Sequence, residues 1–113
     1  MTLRSVTLRK TTDRNGSRYL GASIVEHGDL QIDGQDLGPG VTAWLGEGIS
    51  EYEWIWTIRM AEIPHLLSSL GEPVDTDPLV ALARHFSGGR AANLKSFLDD
   101  HKIRHETWSR MGD

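Results

Sequence analysis

Residues 50–60 read SEYEWIWTIRM, and they alternate as a half-buried strand does. Tyr52, Trp54, Trp56, Ile58 and Met60 fall on one side, and Glu51, Glu53, Ile55, Thr57 and Arg59 on the other. One side is expected to be core and the other mostly wet. Immediately afterwards the period changes. Ile63, Leu66, Leu67 and Leu70 are spaced for a helix that starts near Pro64 and stops at Gly71. That switch from a period of two to one near four divides the chain into strands before it and helices after it.

Upstream, Leu3–Thr11 is rich in Val, Thr and Leu and predicts a strand. Asn15-Gly16 is a strong hairpin signal, because both residues tolerate positive φ, and Arg18–Glu26 reads as the return strand. His27-Gly28 offers a second turn, and Leu30 and Ile32 alternate with polar neighbours in a third strand. The segment 34–48 reads as a glycine-rich loop in which Val41–Leu45 is a short strand or a docked aromatic. Downstream, DTDPLVALARHFSGG has an Asp/Thr cap and Pro78 in its first turn, buries Leu79, Leu82 and Phe86, and ends at Gly88-Gly89. A third helix is expected over Ala91–His101, and the tail KIRHETWS returns to strand-like alternation. The whole predicts one α+β domain over residues 1–113. An antiparallel sheet of about four to five strands would carry about three C-terminal helices on one face.

With 113 residues, 38% of them hydrophobic and 25% charged, the chain can build a core. No cysteine is present, which excludes disulfides and thiolate chemistry and fits a cytoplasmic setting. The first ten residues, MTLRSVTLRK, lack the apolar run of a signal peptide. No stretch approaches the ~18 apolar residues of a membrane span.

The net charge of −4 is unevenly laid out. From Tyr19 to Ile58 there is no Lys or Arg, yet there are seven acids: Glu26, Asp29, Asp33, Asp36, Glu47, Glu51 and Glu53. Phosphate contacts need clustered Lys and Arg, so nucleic acid is not the expected partner. The acidic stretch points to a basic protein partner, a cation or a solvated surface.

GDLQIDGQDLGPG (residues 28–40) sets Asp29, Gln31, Asp33 and Gly34 at calcium-loop spacing, but Gly40 stands where the bidentate Glu belongs. No metal site is expected there. No lysine follows the glycines, so a phosphate loop is excluded. His27, His65, His85, His101 and His105 form neither HxH nor HExxH, although His101, His105 and Glu106 could converge. Ser50 does not sit in a nucleophile elbow. Glu51 and Glu53 share a face expected to be exposed, where carboxylates are poor proton donors near neutrality. Nothing here demands an enzyme or a cofactor. Trp44, in acidic surroundings, has the character of a binding anchor or a plug at the sheet edge.

DGQDLGPGV, EYEWIWTI and FLDDHKIRHETWS together resemble a family of small, uncharacterised bacterial proteins over most of the chain. In size, acidity and layout the chain also resembles toxin-neutralising immunity proteins. That likeness is one of type, which transfers no residue roles. The expectation is a non-enzymatic macromolecule-binding protein, an immunity or antitoxin-like inhibitor of a basic toxin. Its binding residues would be Asp29, Asp33, Asp36, Trp44, Glu47, Glu51 and Glu53. The rival reading is a small enzyme or ligand-binding domain with an acidic, histidine-lined pocket. Self-association through an exposed sheet edge is a third.

Overall fold

Five strands pair in the order in which the chain makes them. The computed structural model describes residues 2–112. The strands are β1 (Thr2–Asp13), β2 (Gly16–Val25), β3 (Leu30–Leu37), β4 (Glu51–Ile58) and β5 (Glu106–Gly112), all antiparallel neighbours in one sheet. The helices are α1 (Pro39–Leu45), α2 (Ile63–Ser69), α3 (Pro78–Phe86) and α4 (Leu94–Asp100). The α+β architecture read from the periodicity is the observed one.

Local chemistry explains each junction. Asp13 pairs with Gly16 across the first hairpin, and the Asn15 N–H donates to Asp13 Oδ1 at 2.8 Å. Gly16 takes positive φ (123°); Asn15 does not. A short 3-10 turn, Glu26–Gly28, joins β2 to β3, with His27 and Gly28 both at positive φ.

The glycine-rich segment is not a loop. β3 continues to Leu37, and residues 39–45 form a helix rather than a strand. Two positive-φ glycines bracket this helix, Gly38 (φ 105°) before it and Gly46 (φ 112°) at its end, and Gly40 lies in its first turn. Pro39 suits its first turn. Val41 is buried, Gly40 N donates to Asn15 O, and Thr42 Oγ1 donates to Ile49 O, so packing and hydrogen bonds hold it in place.

The predicted third helix over Ala91–His101 is shorter. Gly88–Asn93 form 3-10 turns, and only Leu94–Asp100 are α-helical. Lys102, at positive φ, reverses the chain and returns Ile103 to the core. The last strand starts at Glu106 and runs beyond Ser109 to Gly112. Met60 does not extend the apolar face of β4; it lies in a 3-10 turn and is exposed.

One face of the sheet carries Leu20, Ala22, Ile24, Leu30, Ile32, Trp54 and Ile58. These meet Leu66, Leu79, Leu82, Phe86, Leu94 and Leu98 from the helices in a single buried cluster. Residues of opposite parity on β2 to β5 form the other face, which no described helix covers.

Asp77 ties α3 to the sheet. Its side chain accepts from Leu79 N at 3.0 Å as an N-cap and also pairs with Arg4 of β1. The Arg4 hydrogen bond holds its carboxyl below the usual range. A depressed folded pKa contributes stability above the ordinary carboxylate value and loses it as pH falls through the lowered one. Asp77→Ala is therefore expected to cost about 1–2 kcal/mol at neutral pH. The difference from wild type should shrink in acid, as urea titrations at both pH values would read.

Candidate functional site

The bare face follows directly from register, since paired residues share a side of the sheet. Across the five strands, Lys10, Tyr19, Gln35, Glu53 and Arg110 form one row. Next to it run Thr7, Gly21, Asp33, Ile55 and Trp108, then Ser5, Ser23, Gln31, Thr57 and Glu106. On the other side stand Thr12, Ser17, Leu37, Glu51 and Gly112. A five-stranded sheet thus exposes polar and acidic groups with two aromatics set among them.

Glu51 and Glu53 share their partners. Gln35 Nε2 donates to Glu51 Oε1 at 3.2 Å and to Glu53 Oε1 at 3.4 Å. Arg110 Nη2 reaches Glu53 Oε1 at 3.1 Å and Glu51 Oε1 at 3.5 Å. At the end of the face, Arg59 bridges Asp29 (2.9 Å) and Glu106 (2.7 Å). Asp29 also accepts from the Met60 N–H at 2.9 Å. That backbone bond, followed by Arg59, lowers its pKa. Asp29 thus clamps the end of β4 to the start of β3.

Asp33 is different. It sits half-buried mid-face, paired with no side chain of another described residue, and desolvation raises its pKa against a hydrogen bond from its own backbone N–H. A raised folded pKa means that ionisation at neutral pH opposes folding. Asp33→Asn is expected to stabilise the free protein by a fraction of a kcal/mol at neutral pH, because water still screens the site. The gain should vanish below the carboxylate range, and a thermal melt at two pH values would show it.

The seven residues singled out in the sequence do not form one patch. Asp33, Glu51 and Glu53 lie on the bare face and Asp29 at its end. Asp36 is on the helix-bearing side, in a row with Arg18 and Tyr52. Burial raises its pKa against the opposing pull of Arg18 and Arg9. Trp44 projects from α1 on that same side, 67% exposed, its ring edge-on to Tyr52 at 5.6 Å. Glu47 is exposed in the turn after α1. A cavity of about 110 Å³ beside α1 is lined by Asp13, Arg18, Asp36 and Trp44, and both signs of charge meet in it.

The aromatics of the bare face are Tyr19 and Trp108, which the sequence reading left unassigned. Trp108 is 49% exposed and pairs with Ile55. Its only signal was the alternation of the tail, and that could not say which strand the tail joins. Tyr19 folds over Gly21, where a side chain would collide with the phenol. Together with Asp33, Gln35, Glu53 and Ile55 they line a hollow of about 270 Å³.

The histidines do not converge. His105 contacts Lys95 (2.7 Å) and the Ile103 carbonyl, His101 stacks on Phe97, and Glu106 is held by Arg59. No three metal-ligating side chains gather among the described residues. Among the described residues, no helix is long and apolar enough to cross a membrane. No family model, curated protein or solved structure matches the chain.

Proposed function

We propose that this chain is a non-enzymatic binding protein that docks a basic protein partner on its bare sheet face, in the manner of an immunity or antitoxin-like inhibitor. The observation that carries the reading is the composition of that face. Asp29, Asp33, Glu51, Glu53 and Glu106 outnumber Lys10, Arg59 and Arg110 on it and at its end, and the half-exposed Trp108 stands among them. Acids steer a cationic partner into encounter, and a large aromatic ring supplies contact area at small entropic cost. A toxin that itself engages nucleic acid would present the matching basic surface. The likeness in type to immunity proteins agrees with this.

The test is capture from native lysate at low and high salt by wild type and by the double variant Glu51→Lys, Glu53→Lys. Wild type should retain a basic protein that high salt releases. The double variant should lose at least about tenfold in affinity, the scale of a misplaced charge in an interface. Retention by the charge-reversed protein with unchanged salt dependence would refute docking on this face.

A further inference from the structure

Asp33 is the one carboxylate of the bare face that no side chain of another described residue pairs. Its row neighbours are Gly21 and Ile55, neither of which offers a side-chain hydrogen bond. The nearby guanidinium groups are engaged elsewhere, Arg110 with Glu51 and Glu53, and Arg59 with Asp29 and Glu106. Lys10 lies in the adjacent row, two strands away on β1. The carboxylate is therefore partly desolvated with only its own backbone N–H in return, an arrangement that costs the free protein. Around it the hollow has aromatic walls, with the Tyr19 phenol lying over Gly21 on one side and Trp108 beyond Ile55 on the other.

We propose that this hollow receives the guanidinium of an arginine side chain from the partner, an inference that rests on the bare face being the docking surface. The chemistry fits on three counts. A planar guanidinium presents two parallel N–H donors to one carboxylate. It is weakly hydrated, so it enters a half-desolvated hollow more readily than an ammonium. Tyr19 and Trp108 add aromatic surface to the lining, and aromatic rings attract a cation. Anions are excluded, because Glu53 shares the lining with Asp33.

The probe is N-acetyl-arginine amide, titrated into the isotope-labelled full chain by NMR, with N-acetyl-citrulline amide as the uncharged isostere and N-acetyl-lysine amide as the alternative cation. Arginine amide should give saturable shifts at Asp33, Ile55 and the Trp108 indole. Its affinity should be at least about tenfold above that of citrulline amide, and Asp33→Asn should remove that margin. Lysine amide should bind more weakly than arginine amide. Equal binding of citrulline amide, undiminished binding by Asp33→Asn, or shifts centred elsewhere would overturn the proposal. Lysine amide binding as well as arginine amide would overturn its guanidinium preference.

Failure of the probe, with capture still lost in the Glu51/Glu53 charge reversal, removes the arginine hollow and leaves the docking face standing. Saturable arginine binding, with capture indifferent to that reversal, keeps the hollow and removes the docking face.

Discussion

Gly34→Val is expected to destabilise the folded protein by about 3 kcal/mol, the upper part of the range for forcing extra atoms into a packed core. A Cβ at residue 34 would lie 2.1 Å from both Cε2 and Cζ2 of Trp54, so the indole must move. It has little freedom to do so. Trp54 is only 9% exposed, and its ring is stacked along β4 between Tyr52 at 5.3 Å and Trp56 at 6.2 Å. Shifting it disturbs the whole aromatic row and the strand pairing beneath. Gly34→Ala should show a smaller loss of the same kind, about 1–2 kcal/mol. Urea denaturation followed by tryptophan fluorescence would measure both. A loss below about 1 kcal/mol for the valine variant would mean that Trp54 has somewhere else to go.

The second large effect belongs to binding. Trp108→Ala should weaken partner capture by about 2 kcal/mol or more, the threshold for a hot-spot residue. Its effect on stability should stay below about 1 kcal/mol, since half of the side chain is already in water. Trp44→Ala is the control. That ring is more exposed still, but it lies on the opposite side of the sheet with Tyr52. Titrating the captured partner against both variants separates the two surfaces. Loss with Trp44→Ala and none with Trp108→Ala would move the docking surface to the α1 side.

The legible part of the fold was carried by side chains that alternate or repeat strongly. Trp54 and Ile58 are buried on the side of β4 that the alternation chose, and Asp77-Pro78 begins α3 as capping chemistry requires. Residues 39–45 were misread because five glycines between Gly34 and Gly48 suggest irregular backbone. A helix only seven residues long, held by Asn15 and Ile49 through tertiary hydrogen bonds, leaves almost no periodic trace. The site was legible only in part, for a related reason. Parity placed Glu51 and Glu53 on the face that no described helix covers, but not their half-buried state beside Gln35 and Arg110. It could not show that Asp33 and Asp36, three residues apart in one strand, face opposite ways, because the acidic stretch was read as partly loop. Nor could it bring Trp108 beside Ile55, since that pairing spans the entire helical half.

The same pairing carries an entropic cost of its own. β1 to β4 pair without any of α2 to α4 between them, whereas the pairing of β5 with β4 spans those three helices and closes a longer loop. Residues 106–111 are exposed throughout, so backbone pairing with β4 does most of the work of holding β5 down. Molecules in which this last strand has peeled away keep their core but lack Trp108 and Arg110. If the bare face is the docking surface, such molecules would not bind, and the apparent affinity would be scaled by the fraction of chains with the strand in place. By the same linkage, a partner docked there would fasten β5, and slowed amide exchange along that strand would be the signature of occupancy.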